Sequence, residues 1–384
     1  MRTLAALFAA VALASCSSMP SLNPLDWFSG PSGPKPAELP PLSGAPAVRV
    51  LWSTKIGGAD AYFFSPVVVD DGVFAAARDG TVARFDAATG QVLWRISVGK
   101  RLSSGVGSDG SLVVAATEEG EVFALDAKDG RVRWRARVSS EVLAPPVVGE
   151  DLVLVRSADS RIFAFGVVDG KRRWVFQRAA APLVVRSPAG VTLHEKLAYA
   201  GFSGGKLVAI SLANGAVRWE ATVAVPKGST ELERIADIMG NPVAQGREVC
   251  AAAYQGRVAC YDAQSGTQQW ARDMSTLTGV SVDARYAFVS DDKGAVHALD
   301  RSNGRSVWKQ DKLSHRRLSL PLPQGDEVVV GDLQGFVHFL SRDGGSFVAR
   351  AATDGSAVLA PPLRLPNGLL MQTRNGGLYA LSLK

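Results

Sequence analysis

Four histidines, three cysteines and the Asp-Asp pairs at 70–71 and 291–292 are the residues of this 384-residue chain whose chemistry could bind a metal or move a proton. Paired carboxylates suit a divalent cation or a general base. His297 and His338 hold the same place in two successive copies of a repeat, which invites a shared metal. Neither arrangement survives its spacing. Both acid pairs fall in turns, where an Asp carboxylate serves backbone amides. The two histidines belong to neighbouring sheets roughly 10 Å apart, too far for an ion whose bonds are ~2 Å long. No Ser/His/Asp order, phosphate loop or zinc spacing stands out, so no catalytic, cofactor-binding or metal-ligating residue is assigned and no cofactor is expected.

What the chain does repeat is Asp, Gly and Trp at intervals of four. The copies read GTVARFDAATGQVLW ending at Trp94, GEVFALDAKDGRVRW at Trp134, SRIFAFGVVDGKRRW at Trp174 and GKLVAISLANGAVRW at Trp219. GRVACYDAQSGTQQW at Trp270, GAVHALDRSNGRSVW at Trp308, GFVHFLSRDGGSFVA at Ala349 and a truncated GGLYALSLK follow. Upstream of each lies an apolar, β-branched stretch itself split by a turn, such as SPVVVDDGVFAAA at 65–77. Four short strands per repeat of roughly 40 residues make a propeller blade. The Asp is expected to bond turn amides, the Gly to supply a positive φ, and the Trp to cover the neighbouring blade. Ala at the third place is read as room for close approach of sheets near the axis.

The last copy stops before its Trp, whereas VRVLWSTKIG at 48–57 carries Trp52 with no blade in front of it. The expected fold is therefore all-β, an eight-bladed propeller of four-stranded antiparallel blades over 47–384, closed by the N-terminal strand. Closure removes the edges that would invite aggregation.

Residues 1–15 read as a signal peptide, with Arg2 followed by an apolar run from Leu4 to Ala14. Leu13-Ala14-Ser15-Cys16 is similar to the bacterial lipobox, which implies acylation of Cys16 and, with Ser17 next, retention in the outer membrane, facing the periplasm. Residues 16–46 are rich in Pro, Ser and Gly and read as a flexible tether. The net charge of +6 is scattered, with no basic run longer than Lys171-Arg172-Arg173, so nucleic acid is not an expected partner. Cys250 and Cys260 flank a turn at Gln255-Gly256. A two-residue turn sets the thiols on opposite faces, a three-residue loop lets them meet, and the Ala equivalents of position 260 favour small buried thiols.

The spelling A-x-D-x-x-x-G-x-x-x-W, as in Ala124-Leu125-Asp126 to Trp134, resembles the repeat of the pyrroloquinoline-quinone dehydrogenase superfamily. That resemblance is specific for fold and not for activity. The adjacent cysteines and long roofing insertions of such enzymes are missing, which leaves a quinoprotein-like enzyme or a ligand-binding propeller as the alternatives. The lipobox, the short chain and the Ser229-Thr230-Glu231-x-x-Arg234 stretch are similar to the BamB family of outer-membrane assembly lipoproteins. The resemblance implies a non-enzymatic scaffold of the β-barrel assembly machinery, docked on the periplasmic POTRA domains of BamA, with direct capture of nascent outer-membrane proteins a further possibility.

Spacing points independently to a docking face. Trp174 to Trp219 and Trp219 to Trp270 span 45 and 51 residues, against 38 to 41 for the other steps between Trp94 and Ala349. The extra residues, at 182–188 and 224–241, follow the fourth strand of one blade and precede the first of the next, so both emerge at one end of the ring. Leu183, Val185 and Arg186 match the family's L-x-L-R contact loop. Asp237 matches the first acid of its D-x-D pair, and Met239 replaces the second. Together these five are the expected BamA-binding residues.

Overall fold

Eight four-stranded antiparallel sheets make the ring, seven of them with their strands in chain order. The computed structural model describes residues 34–179 and 183–383. Cys16, the signal peptide 1–15 and the first half of the tether lie outside the described residues. Blades I to VII cover 67–97, 107–137, 147–177, 191–222, 238–273, 281–310 and 322–352. Blade VIII joins 363–383 to Val48–Lys55, which pairs with Gly377–Leu383 as its fourth strand. The first strands of neighbouring blades touch one another, as in I and II or III and IV, which places them innermost. Middle strands such as Leu112–Ala116 are buried along their whole length because a neighbouring blade covers each face.

The repeat residues act across blades. Asp86 Oδ1 accepts the amides of Ala88 and Thr89 at 3.1 and 2.8 Å. Gly130 has φ of +75°, and a Cβ there would lie 2.9 Å from the Trp94 ring. Each indole stacks over the next blade's turn glycine and donates Nε1–H to a carbonyl beside it, Trp94 to Ala127 and Trp174 to Leu212, at 2.9 and 2.7 Å. Before every Trp the fourth strand bulges by one residue, with Ala124 opposite Trp134 but Leu125 opposite Val132. A bulge re-aims the side chain that follows it, here toward the neighbouring blade.

This register revises the reading of the repeated Ala. It lies opposite the Trp, as Ala124, Ala164, Ala209 and Ala298 do, and leaves room for the indole. Blade VII inverts the pair, with Phe339 opposite Ala349. Its neighbour, blade VIII, joins two chain ends where the others have a turn, so there is no turn glycine for an indole to clamp.

Two expectations are corrected. Cys250 and Cys260 are register partners joined by a disulfide, because residues 254–256 form a three-residue loop with Gln255 at φ +47°. The tether is also not free over its whole length. The Ala37 amide donates to the Ser314 carbonyl at 2.9 Å, and Leu39 packs beside Leu313 and Leu318. Arg316 Nη1 and Arg350 Nη1 donate to the carbonyls of Ala37 and Pro40 at 2.8 and 3.1 Å. Residues 37–40 therefore form a strap on blades VI and VII, held through backbone carbonyls that composition does not reveal.

Candidate docking surface

A segment that leaves an outermost strand and enters the innermost strand of the next blade must cross one end of the ring. The segments leading into blades IV and V do so side by side, ending at Val191 and Ile238. Ile238 to Gln245 is strand, so the second insertion ends at 237 and not at 241. The two are tied together at their bases. Asp237 Oδ2 accepts the Val185 amide at 2.6 Å and its Oδ1 the Gly204 amide at 3.3 Å. Asn241 Oδ1 accepts the Gly190 amide at 2.8 Å, and Thr192 Oγ1 donates to the Pro242 carbonyl at 2.5 Å.

Asp237 is 6% exposed. Burial pushes its carboxyl above the usual carboxylate range, and the two amides and Arg156 take back part of that rise. Arg156, stacked 4.8 Å over Phe202, feels the same burial in the opposite direction, opposed by the Asp237 charge. These two charges form the floor of a cavity of about 380 Å³ whose wall includes Leu143, Val184, Val185 and Arg186.

The rim is apolar and open. Leu183 and Val184 are 46% and 48% exposed, and Val225 and Leu232 on the second segment 62% and 68%. Leu232 sits on a turn built by reciprocal capping. Glu233 Oε2 accepts the Ser229 and Thr230 amides at 2.8 and 3.1 Å, while Thr230 Oγ1 accepts the Glu233 amide at 3.2 Å. Those amides hold the Glu233 carboxyl below its ordinary range. Arg186 completes the rim, its Nη2 donating to Glu141 Oε1 at 2.6 Å.

Of the five residues expected from sequence, Leu183, Val185 and Arg186 come together at this surface. Val185 is half-buried, its amide turned inward to Asp237, and Val184 takes the exposed place assumed for it. Asp237 and Met239 are corrected. Both side chains are buried, Met239 at 3% in the first strand of blade V opposite Ala252, so neither offers a side chain to a partner. Sequence reasoning missed Val184, Val225, Leu232 and Glu141. The apolar residues carried a signal, since each interrupts an otherwise polar or proline-bearing insertion; Glu141 carried none.

The two repeat histidines, His297 and His338, are structural. His297 bonds Asp291 and His338 bonds Asp332, each at 2.9 Å and each within its own blade. Among the described residues, the one His/Cys/Asp/Glu group with metal-ligand proximity is Glu248 with Cys250 and Cys260, whose sulfurs are bonded to each other. A quinone's calcium needs several free oxygen ligands. Asp291 is committed to the Lys293 and Ala295 amides and to His297, and Asp332 to Arg316, His338 and two amides, so these residues do not fit such a site.

Comparison with known proteins agrees with this geometry. The family model described as outer membrane protein assembly factor BamB matches residues 78–310. A protein of that description from Bordetella pertussis is 42% identical over 345 residues, covering 90% of this chain and 89% of its own. The crystal structure of BamB from Moraxella catarrhalis superposes with a TM-score of 0.78 at 27% identity, covering 88% of this chain and 98% of that one. Quinohemoprotein alcohol dehydrogenase from Comamonas testosteroni, at 13% identity and a TM-score of 0.67 over 87% of this chain and 76% of its own, shares the fold alone. The chain belongs to the BamB family of outer membrane protein assembly factors.

Proposed function

We propose that this chain is a non-enzymatic subunit of the outer-membrane β-barrel assembly machinery. It is anchored in the outer membrane through acylated Cys16, faces the periplasm, and docks on the POTRA domains of BamA. The observation that carries the reading is the pair of stretched segments on adjacent blades. They are tied at the base by Asp237, and one presents Leu183, Val184 and Arg186 to solvent and the other Val225 and Leu232. Apolar residues beside an Arg, held rigidly, have the character of an interface core. The ring supplies rigidity, and the segments supply the contact.

A tagged copy is expected to retrieve BamA from solubilised outer membranes, and Arg186→Glu to abolish that retrieval while the unfolding midpoint stays unchanged. Retrieval at the wild-type level by a folded Arg186→Glu protein contradicts the site.

Asp237→Ala is expected to weaken docking even though the side chain is buried. It leaves the Val185 amide without its acceptor, at a cost of about 1–3 kcal/mol, and frees the first segment from the second. Isothermal titration with BamA, paired with a denaturant melt, checks both halves.

A further inference from the structure

Arg186 is not a free loop cation. Its guanidinium lies 4.7 Å over the Tyr62 ring, in addition to its bond with Glu141. Tyr62 belongs to the segment that leads from the closing strand into blade I, whereas Arg186 belongs to the segment leading into blade IV. Those positions are three blades apart in a ring of eight, so the two side chains meet across the mouth of the ring. Tyr62 is itself held. Its hydroxyl donates to Glu118 Oε2 at 2.9 Å, and Arg78, paired with the same carboxylate, lies 4.1 Å from the ring centroid. The resulting chain runs from Arg78 and Glu118 through Tyr62 to Arg186 and Glu141, drawing on the turns between the second and third strands of blades I and II and the segments into blades I, III and IV.

The chemistry suits positioning. Burial acts against the Arg186 charge, but Glu141 more than offsets it and holds the guanidinium protonated. Of its five N–H donors, one is given to Glu141, and half of the side chain is exposed. A stacked guanidinium has its plane fixed, which reserves the in-plane donors for a carboxylate. The cavity of about 380 Å³ opens beside it, with Val184 on its wall.

We propose that Tyr62 and Glu141 are positioning residues for Arg186. The docking surface then extends from the two stretched segments across the ring mouth to blade I, and it recognises a carboxylate flanked by an apolar side chain that packs on Leu183 and Val184 beside the cavity. This inference rests on the docking function proposed above. Exposed Arg–aromatic stacking is weak alone, yet a guanidinium desolvated by a partner gains more from it.

The test is a double-mutant cycle in titrations of full-length BamA in detergent with the purified protein. Tyr62→Ala is expected to weaken binding about tenfold in the wild-type background and less than about twofold in the Arg186→Ala background. Tyr62→Phe, which keeps the ring and loses only the bond to Glu118, is expected to bind like wild type. A merely structural role for Tyr62 would give the same loss in both backgrounds, and that result overturns the proposal. So does a Tyr62→Phe protein as weak as Tyr62→Ala, or a Tyr62→Ala protein that binds normally while Arg186→Ala does not. Normal binding by Arg186→Ala overturns the docking site as well.

Discussion

Asp332→Ala is expected to destabilise the ring by about 3–5 kcal/mol, the cost of removing one partner from a buried ion pair. Asp332 and the His338 side chain are fully buried and the Arg316 side chain is 3% exposed. Asp332 Oδ2 accepts Arg316 Nε at 2.7 Å and His338 Nε2 at 2.9 Å, and its Oδ1 accepts the Gln334 and Phe336 amides. Without the carboxylate, Arg316 is a buried charge facing His338 and Arg350, and it is the residue that holds Ala37. The denaturant midpoint should therefore fall, and limited proteolysis near residues 37–40 should accelerate.

The same cluster gives a pH dependence with a defined sign. Burial drives the His338 pKa below its ordinary 6.5 despite Asp332, and Arg350 Nε donates to its Nδ1 at 3.2 Å, which suits the neutral ring. The unfolded chain thus takes up this proton first, so stability is full above about 6.5 and declines as the pH falls below it. Burial alone would raise the Asp332 carboxyl, but the bonds from His338 and Arg316 hold it below its ordinary 3.8. Its contribution is lost lower still, again as pH falls. Melting the wild type from pH 8 down to 5 should show the first decline, and a flat profile contradicts the assignment.

Trp174→Ala is the second large effect, about 3–5 kcal/mol for truncating a buried Trp. The indole fills the interface of blades III and IV with Leu212, Ile210 and Phe202. It stacks on Gly215, where a Cβ would come within 2.8 Å of the ring, and its Nε1–H is the donor to the Leu212 carbonyl. Truncation removes the packing and orphans that carbonyl. Because Trp174 touches neither stretched segment in the hydrogen-bond network, BamA affinity below the melting transition should change far less than stability. A chemical denaturation curve and a titration on the same sample separate the two.

The contrast between these residues and the docking surface marks what sequence could say. Asp, Gly and Trp were legible because each acts through local geometry at fixed spacing, and the odd Trp52 told where the ring closes. The exception at Ala349 needed the register, since only pairing with Phe339 and the turnless neighbour explain it. The disulfide was misjudged because a single left-handed residue, Gln255, changes a two-residue turn into three. The strap at 37–40 escaped notice because its anchors are carbonyls. At the candidate surface, irregular spacing located the segments, but it could not tell which side chains turn inward. Asp237 and Met239 stand at the end of the second insertion in sequence and are buried in space, and Tyr62 lies more than a hundred residues from the arginine it stacks on.

Photo-crosslinking tests the central claim most directly. A crosslinking amino acid at Val184 or Leu232, compared with one at Val168, samples exposed apolar positions at opposite ends of the ring, and the control is the more open, Val168 being 88% exposed in the third-to-fourth strand turn of blade III. Adducts with BamA from 184 and 232 and none from 168 are the predicted result; BamA adducts from 168 with none from 184 or 232 would contradict it.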